Sequence, residues 1–408
     1  MAGAIPTPAV AASWPAPPVE SPASPRHPSS PSRAADKAAG DATSPVPPLE
    51  PASPPPQAAS PGVASPLESI AVDEGFTDSA STIDDRISTY TASLTSSVVD
   101  YPTEYGRRYH AFRSGAYNFP NDEEEMDRLD FCHTLLMKTI GGRLFLAPID
   151  EAKTHRILDV GTGTGIWAME MGDLFPNAEI MGNDLSAIQP DWVPPNVKFE
   201  IDDVESSWVN DKNYDFIFSR YMCGSIADWP TYMKRVYANL NPGGWAEFQD
   251  WSFMIYSDDG SAEGTEFLHW VNLLMEACDV FGRDGQIGPK LEGLVRENTG
   301  LINIHHQPYR IPVGPWARDP YLKDIGMCNL IQLLDGLEGF SMRLLCGALG
   351  WTREAVLVLL AGVRKEVREG KVHAWMHYNV VYGQRPEEEA DEEEVQQGGQ
   401  QGQEATNV

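Results

Sequence analysis

The sequence predicts an α/β fold built on a parallel, doubly wound sheet, and three observations carry that prediction. A short apolar run, Ile157 to Val160, is followed at once by glycines at 161, 163 and 165 and then by a helical segment. Predicted strands and helices then alternate with short connections as far as Gln249. Three successive strands end on acids: Asp159 near the end of the first, Asp184 closing the second and Asp202-Asp203 closing the third. Glycines in this order let the chain turn sharply with φ > 0 and keep side chains off a ligand lying on the backbone. The carboxyl ends of parallel strands, facing a helix N-terminus, are where open α/β sheets bind nucleotides.

The elements follow in chain order. Residues 104–112 and 117–122 form a dense segment in which Tyr105, Arg107, Arg108 and Tyr109 suit either lid packing or contact with a ligand. Met126, Leu129, Leu136 and Met137 recur at helical spacing behind Glu123 to Glu125, acids that favour a helix start, so a helical lead-in precedes the sheet. Strands are expected at 156–160, 178–183, 197–201, 214–218 and 245–249, with helices at 166–175 (stopped before Pro176) and 229–240 (stopped by Asn241-Pro242-Gly243-Gly244). Phe267, Trp270, Val271, Leu274, Met275, Cys278 and Phe281 mark a further helix ending near Gly282. A strand at 301–311, helices within 321–345 and 352–368 with Gly370 in the C-cap place, and an extended aromatic strand at 372–382 complete the pattern. The last strand should pair with 301–311, with the helices between them forming a cap.

Composition sets the limits. The chain has 408 residues and a formal net charge of −29, which argues against a nucleic-acid partner, since that needs basic surface to displace counterions. Residues 1–95 are dominated by Pro, Ala and Ser and hold too few large apolar groups to offset chain entropy, so they are expected to be disordered. Residues 387–408, an acidic run and a Gln/Gly tail, are expected to be solvated and disordered as well. One domain, 96–386, lies between. The five cysteines are scattered without a CxxC pair, which suits reduced thiols in an intracellular compartment, the cytoplasm first and the nucleus second. No positive patch precedes an apolar core at the N-terminus, and the longest apolar run, 355–363, is too short for a membrane span.

Two cofactor classes use a glycine loop after a first strand. The dinucleotide fingerprint is G-x-G-x-x-G; here the spacing is G-x-G-x-G, with Trp167 and Ala168 where a further glycine would sit, which disfavours an NAD-dependent oxidoreductase. An acid two residues before the first glycine, as Asp159 stands here, belongs to the D-x-G-x-G-x-G arrangement of S-adenosylmethionine methyltransferases, where it orders the loop and faces the aminoacyl end of the cofactor. Asp184 is placed to accept both ribose hydroxyls, acceptor to two donors, or else to serve as a turn or N-cap residue before Leu185-Ser186. In Asp202-Asp203-Val204 one carboxylate suits the adenine amine, with a simple turn role open for the other. Together with Gly161, Thr162, Gly163, Gly165 and Arg220, these are the expected cofactor-binding residues.

At this point the chain resembles the fungal LaeA-like group of class I S-adenosylmethionine-dependent methyltransferases. The resemblance rests on residues 105–112, Phe119-Pro-Asn-Asp122, Arg128-Leu-Asp130 with His133, the glycine loop, and 184–190. It continues through 203–208, Cys223-Gly-Ser225 with Asp228-Trp-Pro230, 241–245 and 380–386, and so spans roughly residues 100–386. It implies a Rossmann-like sheet of seven strands with the last antiparallel, and S-adenosyl-L-methionine as methyl donor. Asn183 before the acid and Thr162-Gly163, where many relatives carry Cys-Gly, are departures that leave cofactor binding in place. The group includes regulators of secondary metabolism and tailoring enzymes on small molecules.

Methyl transfer from a sulfonium is an in-line displacement with a neutral leaving group, so positioning supplies much of the acceleration and a general base is optional. Tyr221, His133 and His269 are the candidates for a catalytic group; Arg220, Glu247, Gln249, Asp250 and Trp251 stand near the ends of the fourth and fifth strands. Ser219-Arg220-Tyr221-Met222-Cys223 replaces the Asn-Pro-Pro-Tyr signature of amide-nitrogen methylators, which favours an oxygen or other small-molecule acceptor. No metal is expected: His305, His306, His373 and His377 lie on predicted strands without ligand-spaced carboxylates. The alternative to a small-molecule enzyme is a regulator acting through protein partners, although no basic cluster of the nuclear-import kind is present.

Overall fold

The structure is a computed structural model and describes residues 101–113, 115–208 and 213–387. The expectations for residues 1–95 and for the tail after Glu387 lie outside the described residues. A seven-stranded sheet has the order β5-β4-β3-β6-β7-β9-β8, with β3 at Arg156–Val160, β4 at Glu179–Asp184, β5 at Val197–Ile201 and β6 at Tyr214–Arg220. The remaining strands are β7 at Leu240–Ser257, β8 at Ile302–Pro312 and β9 at Ala374–Gln384. The pairs β3–β4, β3–β6, β4–β5 and β6–β7 are parallel, while β9 runs antiparallel to both its neighbours. The expected pairing of the last strand with 301–311 is present, and β9 also pairs with β7.

Helices cover the sheet, though less regularly than the alternation predicts. Helix α2, Ile166–Leu174, crosses from β3 to β4, and α3, Trp229–Ala238, crosses from β6 to β7; the connections on either side of β5 carry no helix among the described residues. On the α2 side the Trp167 indole stacks on Phe218 at 3.9 Å and 2°, over fully buried Phe216 and Met171. Such a stack adds about 1 kcal/mol to the area it buries. Helix α1, Glu123–Thr139, is the lead-in, N-capped by Asp122. Before it the chain forms a two-strand hairpin (β1 Thr103–Glu104, β2 Arg107–Arg108) in the segment of aromatic and basic residues.

The strand at 245–249 is far longer than predicted. The Asn241-Pro242-Gly243-Gly244 stretch lies inside β7, which begins at Leu240 through a bulge against β6 and continues past Gln249 along β9, with a second irregularity after Trp251. Glu247, Gln249, Asp250 and Trp251 are therefore strand-interior residues, each at most 3% exposed, and not an open strand end. A turn signal at Pro-Gly-Gly does not stop a strand whose neighbours on both sides supply ladder partners. The cap comprises α4, Glu266–Val280, together with two later helices, whereas α5, Leu291–Asn298, which the sequence pattern did not predict, packs on the sheet core beside α3. The later cap helices are α6, Pro320–Ser341, running into a π-helical turn Met342–Ala348, and α7, Arg353–Glu369, with Gly370 in the C-cap. Among the described residues no helix is long and apolar enough to cross a membrane.

Glu247 shows how the loop after α1 is pinned to the middle of the sheet. Its carboxylate accepts the N–H groups of Leu146 and Ala147 and the Gln249 amide, all between 2.6 and 3.0 Å. Burial nevertheless pushes its pKa up from 4.5 to about 7. A carboxyl group with a raised native pKa contributes stability that is full below the unfolded value and lost as pH rises through the native one. The stability of the wild type relative to Glu247→Gln should therefore fall by about 3 kcal/mol between about pH 4.5 and about pH 7. Denaturant unfolding of both proteins across that range checks this; parallel curves would contradict it.

Candidate functional site

The strand ends meet at one cleft along the carboxyl edge of the sheet. Asp159, Gly161, Thr162, Gly163, Asp184, Asp202, Asp203, Val204, Arg220, Tyr221 and His133 all line it. Two expected residues do not. Gly165 is the N-cap of α2 with φ 81°, and a Cβ there would sit 2.4 Å from the Phe199 ring, so it seats the loop on β5 without touching the cleft. His269 lies exposed on α4, away from the lining, and the proposal of it as a catalytic candidate falls.

The glycine loop is held from three directions. The Thr162 hydroxyl donates to Asp159 at 2.6 Å, and the Thr162 N–H donates to the Asn183 carbonyl at 2.9 Å. Gln189 donates its amide to the Gly163 carbonyl at 2.6 Å. From the lead-in helix, Asp130 accepts the Thr164 hydroxyl at 2.6 Å. Gly161 is needed for close approach: a Cβ there would meet the Met222 sulfur at 2.6 Å. Met222, Asp130, Tyr117 and Asn121 were not predicted to be site residues. The segment 117–122 and the motif 128–130 were the available signal for the last three, but their partners are distant in sequence, and nothing marks Met222.

The acids divide into roles. Asp184 accepts the N–H of Gly163 through one oxygen and that of Ser186 through the other, both at 2.9 Å. It is thus the turn residue of one reading and a cleft-lining carboxylate of the other, and its hydrogen bonds among the described residues leave it acceptor capacity. Asp203 is spent on structure: it accepts from the Glu205 N–H and the Ser206 hydroxyl and pairs with Arg113 at 3.2 Å. Among the described residues Asp202 accepts only the N–H of its neighbour Asp203, so of the two it is the carboxylate with acceptor capacity left. Asp159, 3% exposed, has its pKa pushed up by burial from 3.8 to about 6, against the pull of Thr162 and Arg220.

Arg220 and His133 face one another. Arg220 Nη2 donates to His133 Nδ1 at 2.7 Å, while Arg220 Nη1 is buried without a partner among the described residues. Burial and the guanidinium charge push the imidazole down to about 3, so it is neutral. Tyr221 adopts φ 67°, a strained conformation for a bulky residue, and its hydroxyl takes a hydrogen bond from Arg128 at 3.1 Å. Burial raises its pKa well above 10, so the phenol keeps its proton. Arg107 and Arg108 pair with Asp122 and Glu123, and Tyr109 is fully buried under Arg343; none of these, nor Tyr105, lines the cleft, so the packing reading holds for them. His306 bonds Glu292 and Asn379, and His373 bonds Asp259; among the described residues no His/Cys/Asp/Glu group could hold a metal.

Residues 107–284 match the family model described as a methyltransferase domain. Methyltransferase pytC of Aspergillus terreus is 46% identical over 296 residues, covering 72% of this chain and 91% of that one. The chain belongs to the LaeA-like methyltransferase family. Its other relatives include the secondary metabolism regulator LAE1 of Cochliobolus heterostrophus, 36% identical over 70% of this chain and 95% of that one. The protein-methionine methyltransferase laeA of Emericella nidulans is 32% identical over 69% of this chain and 76% of that one. This LaeA-like chain is thus a class I enzyme whose methyl donor is S-adenosylmethionine. The cleft fits that donor: it combines an unpartnered buried guanidinium nitrogen, carboxylates with spare lone pairs, and a loop too tight for side chains.

The bonding pattern separates two acids. Asp184→Ala should cost about 1–3 kcal/mol of folding stability, because it strands two backbone N–H groups, whereas Asp202→Ala should change stability by less than about 0.5 kcal/mol. Thermal or denaturant unfolding of the two variants side by side checks this, and equal losses would refute the division of roles.

Proposed function

We propose that this methyltransferase acts on a small-molecule acceptor by in-line displacement. The observation that carries the reading is the shape of the cleft where it meets Tyr221. Ala116, Tyr117, Pro120 and Asn121 of the segment before α1 line it, and Tyr117 and Tyr221 are shared with a small aromatic cavity lined also by Phe253 and Phe340. A small aromatic cavity opening off the cofactor cleft suits a compact organic acceptor better than a polypeptide side chain on a folded partner. The relative at 46% identity, named simply a methyltransferase, is nearer than the relatives at 31–36% named as regulators.

When bound, the cofactor supplies a methyl group already activated on a sulfonium. The chain's own residues then orient and exclude water. Asp202 takes the base amine, Asp184 the ribose hydroxyls through its free lone pairs, and Asp159 with Arg220 the charged aminoacyl end. None of the catalytic candidates is a free base: His133 is neutral but its Nδ1 is occupied by Arg220, and Tyr221 keeps its proton and accepts from Arg128. Rate enhancement therefore comes from holding donor and acceptor in line. Tyr221, next to both compartments, orients the acceptor by donating its phenolic proton.

The second reading, a regulator acting through protein partners, is favoured by the relatives named as secondary metabolism regulators. Metabolite profiling of a deletion strain separates the two. Loss of one methylated compound, with its unmethylated form accumulating, is expected; broad loss of many products would favour the regulator. On the purified protein, affinity for S-adenosylmethionine should fall roughly tenfold per unit as pH drops below about 6, because a cationic ligand needs Asp159 ionised. Asp159→Asn should flatten that dependence in calorimetric titrations.

A further inference from the structure

We propose that His133 and Glu170 are positioning residues that aim Arg220 at the aminoacyl carboxylate of S-adenosylmethionine, a role resting on the methyltransferase reading above. Arg220 is the only arginine or lysine among the described residues lining the cleft, where Asp159, Asp184, Asp202, Asp203 and Glu205 supply the opposite charge. A cofactor with one carboxylate, at the end remote from its base, has a single cationic partner there. The guanidinium arrives with half its fork committed. Nη2 is fixed on His133 Nδ1 at 2.7 Å, and Nη1 is buried with no partner among the described residues. A buried donor left unpaired costs free energy unless a ligand satisfies it, and a planar guanidinium nitrogen is suited to a carboxylate oxygen.

His133 is itself held in place. Its side chain is 3% exposed on α1, and because Nδ1 accepts from Arg220, the ring proton of the neutral form sits on Nε2. Nε2 lies 3.2 Å from a carboxylate oxygen of Glu170 on α2, a contact not aligned as a full hydrogen bond. Glu170, 42% exposed, lies at the solvent end of this chain of contacts. The sequence Glu170–His133–Arg220 joins the lead-in helix, the helix after the glycine loop and the end of β6, alongside the Asp130–Thr164 bond to the loop and the Arg128–Tyr221 bond to the strand end. Cofactor orientation is thereby coupled to the docking of the lead-in helix.

Two ligands isolate the effect. S-adenosylhomocysteine carries the aminoacyl group, and 5′-methylthioadenosine carries the same nucleoside and thioether without it. Calorimetry on the full chain should show His133→Phe, which keeps the ring volume and removes the acceptor, weakening S-adenosylhomocysteine roughly tenfold or more while 5′-methylthioadenosine stays within about twofold. His133→Asn, whose amide oxygen can replace Nδ1, should recover most of the loss, and Arg220→Gln should reproduce the His133→Phe pattern if that variant does not fold. Equal weakening of both ligands, or of neither, overturns the positioning role while leaving the methyltransferase reading intact. Failure of the folded wild type to bind either ligand would sink that reading itself.

Discussion

Parallel pairing of β3 with a neighbour on each side is the constraint on which the site depends. Asp159 is in register with Gly182 of β4 and Phe218 of β6, and Val160 with Asn183 and Ser219. One residue further, Gly161, Asp184 and Arg220 stand level in a row. On the far side Asp184 pairs with Ile201, which puts Asp202 one step beyond that row. Neighbouring strands lie about 4.8 Å apart, so the row from β5 to β6 spans roughly 14 Å with acceptors at one end and a guanidinium at the other. The chain leaves β3 between β4 and β6, and a crevice opens where the strand order reverses.

Charge burial is the cost of this arrangement, and backbone N–H groups offset much of it. Asp250 accepts from Met222, Cys223 and Trp251, which fixes the turn that carries Tyr221 at positive φ, yet its pKa still rises to about 7. Glu125 and Arg128 form an almost fully buried pair in which Arg128 also donates to Gln332 of α6 and to Tyr221. Removing one partner of such a pair strands the other charge, so the placement of lead-in helix, cap and strand end relative to one another depends on both residues being present. The strained tyrosine sits where these two networks meet.

Legibility followed the range of the interactions. The first strand, its glycine loop and the acids at 159 and 184 are visible because strand, turn and helix there are set by adjacent residues. Helix α5 was missed because it is only eight residues long, although Leu291, Leu294 and Val295 keep helical spacing, and β7 was cut short because Pro242 and the following glycines look like a stop. Which of Asp202 and Asp203 keeps a free carboxylate was left open, since both have the same chemistry and adjacent places. The turn geometry decides it by spending Asp203 on Glu205, Ser206 and Arg113.

By itself the sequence determined the fold class, the methyl donor and the row of acids, because glycine spacing and strand-end carboxylates are local patterns with few alternative uses. Only the tertiary structure decided that His133 serves Arg220, that His269 faces solvent, and that Tyr221 joins the cleft to an aromatic cavity. Those facts depend on pairs separated by 87 and 93 residues, His133 with Arg220 and Arg128 with Tyr221. No local propensity encodes such a pair; sheet register and helix docking bring it together.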